Sequence, residues 1–117
     1  MTTTEEKKGR VFFATRSMRF NVAASAEFGD PYFVTEEAGS PFDIHGLTQQ
    51  MGLSLLSFDP AKDFIALSGP LPHVAILLSV ASAAHERVRV LIFDARSSEY
   101  RSRELDISFV FDGEEVK

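Results

Sequence analysis

The sequence predicts a small α/β domain. We expect a mixed, mostly parallel, Rossmann-like sheet of about five strands, with two or three helices and a C-terminal antiparallel hairpin. Two apolar runs, at residues 64–67 and 88–93, flank a turn and a helical stretch, and this order is typical of a strand–helix–strand unit. Such a crossover makes its two strands parallel. An alternating stretch at 100–111 follows after a short turn, so the last strand is antiparallel to its predecessor.

The length and composition indicate one globular domain, which we place at residues 10–112, between a disordered tail at 1–9 and a second tail at 113–117. The chain has no cysteine, which excludes disulfides, thiolate catalysis, zinc–thiolate sites and iron–sulfur clusters. Its net charge of −5 argues against nucleic acid as a partner, because broad nucleic-acid binding needs a surplus of Lys and Arg. No apolar run approaches the roughly 18 residues that cross a bilayer. We therefore expect a cytoplasmic protein without a membrane partner.

The N-terminal half contains two short predicted strands, at residues 11–14 and 32–34, the second of which follows an Asp30-Pro31 turn. The segment between them has two readings. Asn21 could cap a short helix that runs to Phe28 and stops at Gly29, or the segment could be an irregular loop.

A first long helix is predicted from residue 41 to residue 58. Ser40 can serve as the N-cap, Pro41 suits the first helical position, and Asp43 has the capping-box spacing. Apolar residues recur at spacings of three and four, and Asp59-Pro60 ends the helix. That apolar stripe comprises Ile44, Leu47, Met51, Leu55 and Phe58, while Leu53 and Leu56 fall toward the opposite side.

The second helix, near residues 72–85, is apolar almost all round, and such a helix needs cover on more than its sheet side. In so small a domain, this surplus predicts a homodimer or another protein partner. A milder reading is that alanine and serine form a weakly apolar, partly exposed face. The predicted interface residues are Leu53, Leu56, Val74, Leu77, Leu78 and Ala81.

Ligands of open α/β sheets bind beyond the carboxyl ends of the strands. A glycine, the N-terminus of a helix and two arginines at that edge would suit an anion such as a phosphate. The simpler reading is a tight Ser-Gly-Pro turn into a helix, because no dinucleotide or P-loop motif is present and two prolines remove backbone amides. The candidate ligand residues are Arg16, Ser17, Ser68, Gly69, His73, Asp94 and Arg96.

Other chemistry has little support in the sequence. His73 is the one plausible general base, but it has no orienting carboxylate nearby in sequence, so we assign no catalytic residue. The three histidines are far apart and form no ligand pair at i, i+4, so we predict no metal and no cofactor.

Three segments together resemble small uncharacterised bacteriophage proteins. They are Phe58-Asp59-Pro60, the run from Asp63 to Gly69, and the run from Leu91 to Arg96 followed by Tyr100, all within the C-terminal half. The resemblance implies a phage accessory protein in the host cytoplasm and carries over no catalytic residues.

Two functional hypotheses follow from the sequence. The first is a small non-enzymatic interaction protein, a homodimer that binds a protein partner. The alternative is a nucleotide-binding or phosphodiester-cleaving enzyme that uses the anion pocket.

Overall fold

The structure is a computed structural model that describes residues 9–16, 22–36 and 40–108. The predicted tails and residue Ser17 therefore lie largely or wholly outside the described residues. Five strands and two α-helices make up the domain, with two short 3-10 turns at Val22–Ser25 and Leu55–Ser57. The strands and helices are β1 (Arg10–Thr15), β2 (Asp30–Thr35), α1 (Ile44–Ser54), β3 (Phe64–Ala66), α2 (Leu71–Ala84), β4 (Arg87–Asp94) and β5 (Glu99–Asp106).

The strands form one sheet in the order β2-β1-β3-β4-β5. The first four strands are parallel to one another, and β5 pairs with β4 in the antiparallel sense. This confirms the predicted mixed, mostly parallel sheet with its C-terminal hairpin. The strand order reverses between β1 and β3, which is where open α/β sheets of this order bind ligands, at the carboxyl ends of the strands.

The two faces of the sheet are covered differently. Both α-helices pack on one face, where their buried side chains form a core with Phe12, Ile65 and Val90. The other face carries Phe13 and Leu91, and it is covered by side chains of the 3-10 turn and its neighbours. Among the described residues, both α-helices therefore lie on the first face.

β1 is the centre of the fold, and residues 11–14 of this strand have no exposed surface. Phe12 contacts the Tyr32 ring at 4.8 Å and the Phe58 ring at 5.3 Å between centroids, on the helical face. On the opposite face Phe13 stacks on Phe33 at 5.6 Å. Alternate residues of β1 therefore hold both cores together.

α1 begins three residues later than its sequence signals predicted. The N-cap is Asp43, whose carboxylate accepts a hydrogen bond from the Gly46 N–H at 3.1 Å. Ser40 instead accepts a bond from the Phe42 N–H, so the predicted Ser40 cap is wrong. An aspartate at the N-cap satisfies a backbone donor and also complements the helix dipole, so this position is the better cap.

The apolar stripe of α1 is largely confirmed, since Leu47, Met51 and Leu55 are buried, but Ile44 is half exposed. The helix itself ends at Ser54, and the Leu55–Ser57 3-10 turn continues the chain to Phe58. In α2, the buried residues are His73, Leu77 and Ala81, at an exact spacing of four.

The ambiguous segment before β2 contains a single 3-10 turn, Val22–Ser25, and not an α-helix reaching Phe28. The predicted last strand is shorter than expected, because β5 ends at Asp106. Residues 109–111, which the alternation included, lie outside the described residues. In the parts of the chain that are described, neither helix has the length and hydropathy to span a bilayer.

A buried carboxylate joins three segments at the amino edge of the sheet. Asp63, 4% exposed, accepts hydrogen bonds from the Arg10 N–H at 2.8 Å and from the Asp59 N–H at 2.7 Å. The Arg10 guanidinium lies 3.7 Å from the same carboxylate and donates to the Ser57 carbonyl at 2.8 Å. It also lies over the Phe12 ring at 4.7 Å. We call this set, Arg10, Ser57, Asp59 and Asp63, the amino-edge clasp.

Removing the charge of Asp63 should destabilise the fold, because one of two backbone donors would face an amide group and lose its acceptor. We expect Asp63→Asn to lower the free energy of unfolding in urea by about 3 kcal/mol. Asp30→Asn is the matched control, since Asp30 is exposed at the same edge, and it should change stability by less than about 0.5 kcal/mol. An equal loss of unfolding free energy in the two variants would contradict the stabilising role of the amino-edge clasp.

Replacing Gly29 or Gly52 with alanine should change the stability of the fold in opposite directions. Gly29 has φ 157°, and a Cβ there would lie 2.5 Å from the Gly9 carbonyl oxygen, so Gly29→Ala should cost about 2 kcal/mol or more. Gly52 lies within α1, and a Cβ there would meet nothing within 4 Å, so Gly52→Ala should stabilise by about 0.5–1 kcal/mol. Thermal unfolding of both variants tests the pair, and a stabilised Gly29→Ala would refute this account of the turn.

Candidate functional site

Three hydroxyl-bearing residues lie at the carboxyl edge, at or beyond the ends of β1 and β3 and at the start of β5. The Ser68 and Tyr100 hydroxyls are 3.0 Å apart and hydrogen-bonded. Tyr100 is 4% exposed and packs against Phe93 at 5.1 Å between ring centroids. The third hydroxyl, that of Thr15, is buried and has no hydrogen-bond partner in the described chain. In the described residues, the buried Tyr100 therefore occupies part of this edge, with its hydroxyl bonded to Ser68.

Arg16, a candidate anion ligand, forms an ion pair with Glu36, which directly follows the neighbouring strand β2. Its Nε donates to Glu36 Oε1 at 2.7 Å, and its guanidinium lies 4.1 Å from the Phe33 ring centroid. This hydrogen bond raises the pKa of Arg16 and lowers the pKa of the Glu36 carboxyl. Both side chains are exposed, so the positive charge is offset in place.

Asp94 acts within the β4–β5 turn. Its carboxylate accepts hydrogen bonds from the Arg96 N–H at 3.0 Å and from Arg101 Nε at 2.9 Å. The Arg101 hydrogen bond is the largest of the effects that lower the pKa of Asp94, followed by the Arg96 backbone N–H. Ser98 completes the turn with φ 58°, in the left-handed region. Asp94 thus orders a turn, and the Arg96 side chain remains exposed.

The remaining candidate ligand residues are dispersed. His73 is 1% exposed and belongs to the buried stripe of α2, while Gly69 takes φ 142° in the turn before that helix. Ser17 lies outside the described residues. Within those described, no three His, Asp or Glu side chains are grouped so that they could hold a metal ion. Tyr100 was not among the candidates, although pairing with Phe93 across the predicted hairpin would have brought it to this edge.

The outer surface of the helices has a different character. We call the exposed side of α1, the Leu55–Ser57 turn and α2 the helix layer. Neither helix contains an Asp, Glu, Lys or Arg residue, although a quarter of the chain (25%) is charged. Surface helices normally place charged residues on their solvent side, so this layer is unusual in having none.

Large apolar side chains stand out from the helix layer and its flanks. Leu53 is 71% exposed and Leu56 is 81% exposed. Phe42 and Ile44 are exposed at the start of α1, and Leu71 is exposed at the start of α2. Ile92 lies on the helical face of the sheet, two residues along β4 from the buried Val90. The helix layer and the segments next to it therefore carry several exposed large apolar side chains.

A shallow apolar groove of about 370 Å3 separates α1 from α2 on this surface. Small side chains of α2 form one wall, and the start of α1 forms the other. Residues of the groove include Ile44, Thr48, Ala75, Ser79, Val80 and Ala83.

The predicted interface needs one correction. Leu77 and Ala81 have no exposed surface, because their position on α2 faces the sheet and other core residues. Val74 and Leu78 are partly buried against the same core, whereas Leu53 and Leu56 are exposed as the sequence indicated. On α2 the exposed positions are mainly small, as the milder sequence reading expected.

Four parallel strands, an antiparallel edge strand and a helical layer on one face define a small Rossmann-like α/β protein without a recognisable catalytic constellation among the described residues. The chain belongs to the Phage Pam3 gp32-like protein family, whose profile matches residues 6–107. This confirms the resemblance to small phage proteins and extends it into the N-terminal half. No curated protein and no solved structure matches the chain.

The pKa of Asp94 offers a direct test of the carboxyl edge. Arg101→Gln should raise it toward the ordinary 3.8, because the largest lowering effect is lost. Arg96→Gln is the control and should leave it low, since Arg96 acts through its backbone N–H. The lowered pKa stabilises the fold above about pH 4, and this contribution disappears as the pH falls through the folded-state value. Carboxyl-carbon NMR titration measures the pKa of Asp94 in both variants. An unchanged Asp94 pKa in Arg101→Gln would contradict the assigned role of Arg101.

Proposed function

We propose that the protein is a small non-enzymatic phage accessory protein that acts by protein–protein association through its helix layer. The observation that carries the proposal is the combination of two charge-free helices with the largely exposed side chains of Leu53 and Leu56. Homodimer formation, which the sequence predicts, is one form of this association, and a host or virion component is the other class of partner. The host cytoplasm is the compartment in which we place it.

Burial of the helix layer against a partner is energetically favourable. Burying one leucine side chain stabilises an association by about 1.5–3 kcal/mol, so Leu53 and Leu56 together can supply a substantial part of a micromolar interaction. The centres of protein interfaces are depleted of charged residues and rich in apolar ones. The helix layer has no charged residue in either helix and carries exposed leucines, and exposed apolar surface can mark an interaction site.

The anion-pocket alternative has weaker support. The Arg16 charge is offset by Glu36, and the Asp94 carboxylate brings negative charge to the same edge. Pro70 and Pro72 lack the backbone N–H that a phosphate would use at the start of α2. We therefore assign this edge a structural role and place the activity on the helix layer.

Photo-crosslinking in the host cell tests the proposal. A benzophenone amino acid replaces Leu53 in one variant and Leu56 in another, and the control carries it at Glu27, an exposed residue on the opposite face of the sheet. We expect protein adducts from positions 53 and 56 that are several-fold stronger than from position 27. Adducts that are absent, or equal at all three positions, would remove the proposed function.

A further inference from the structure

We infer that the partner that covers the helix layer is a second copy of this chain, related by a two-fold axis. This inference rests on the proposed function and names the occupant of the same surface. In a two-fold dimer the same patch meets itself, so each side chain near the axis faces its own counterpart. A surface can be covered in this way only if it is compatible with itself.

The charge distribution satisfies that condition. The chain has a net charge of −5, so most pairings of two copies bring like charges together. Because α1 and α2 carry no Asp, Glu, Lys or Arg, the helix layer is an extended surface on which two copies can meet without charge repulsion. A foreign partner is usually selected by complementary charges, and this layer offers none for that purpose.

The polar groups of the layer are also self-compatible. Thr48, Gln49, Gln50 and Ser79 occupy exposed positions on the two helices. Hydroxyl and amide side chains each contain both a donor and an acceptor, so each can hydrogen-bond to its own copy across the axis. A carboxylate or an ammonium group could not do so.

The sheet edges are poor alternatives for self-association. A two-fold antiparallel pairing of β5 with itself places residues of the same face opposite one another. Pairing centred on Ser102 sets Arg101 against Arg103, and pairing centred on Arg103 sets that residue against itself. Like charges opposite one another destabilise a sheet, and charged edge strands resist such pairing. At the other edge, β2 includes Pro31, which has no N–H to donate.

Sedimentation equilibrium with purified full chain tests the inference. The wild type should have twice the monomer mass of 13.0 kDa, and Leu53→Glu/Leu56→Glu should return it to the monomer mass. Ala23→Glu/Ala26→Glu is the charge-matched control and should remain dimeric, because both alanines are exposed, Ala23 within the Val22–Ser25 turn and Ala26 directly after it. Both replaced leucines are exposed, so far-UV circular dichroism should be unchanged in every variant.

A single introduced cysteine gives an independent measurement, since the chain has none of its own. Ser79→Cys, in the groove, should be joined into a covalent dimer by a short bismaleimide, whereas Ala26→Cys should not.

A wild type that stays monomeric at all concentrations, or a Leu53→Glu/Leu56→Glu variant that stays dimeric, overturns the inference. If the chain is monomeric but positions 53 and 56 crosslink to another protein, the proposed function stands and the second copy is excluded. If the chain is monomeric and positions 53 and 56 crosslink to no protein, the proposed function and this inference are both wrong.

Discussion

The buried carboxylate of Asp63 is the constraint on which the rest of the structure depends. It accepts two backbone N–H bonds, from the start of β1 and from the loop before β3, and it sits beside the Arg10 guanidinium. A charge with so little solvent is tolerable only when it is paired and hydrogen-bonded, so the three segments must meet in one geometry. Arg10 then reaches Ser57, which ends the helical segment, and its guanidinium covers the Phe12 ring. One ion pair thus aligns β1, β3 and the α1 connection.

The charged residues are segregated by element, and this segregation connects the fold to its proposed activity. Ion pairs hold the loops and the β4–β5 hairpin, as in Arg87–Asp106 and Arg101–Asp94. These exposed pairs contribute little stability individually, but they keep the edge strand solvated and discourage edge-to-edge pairing. The two helices have no charged residue, and both pack on the same face of the sheet. The strands and loops therefore present a charged surface, and the two helices present an uncharged one.

Much of the architecture could be predicted from local patterns, because strand alternation and helix periodicity are properties of neighbouring residues. The parallel unit around β3 and β4 and the stripe containing Leu47 and Met51 are of this kind. The pairing of Arg16 with Glu36 could not be predicted, because it depends on β1 and β2 lying side by side, and strand order is not a local property. The depth of Leu77 was misjudged for a similar reason. A helix that is apolar all round does not reveal which of its sides meets the sheet.

The position of β1 has a consequence for how the chain is made. This strand is the first to be synthesised, yet it lies between β2 and β3, and its residue Val11 pairs with Phe64 more than fifty positions later. While the ribosome adds the intervening residues, one edge of this strand, whose residues 11–14 are all apolar, has no hydrogen-bonding neighbour. Long-range pairing of this type is slow and leaves nascent chains prone to aggregation. Chaperone protection during translation is thus most valuable over the interval between the emergence of the first strand and that of the third.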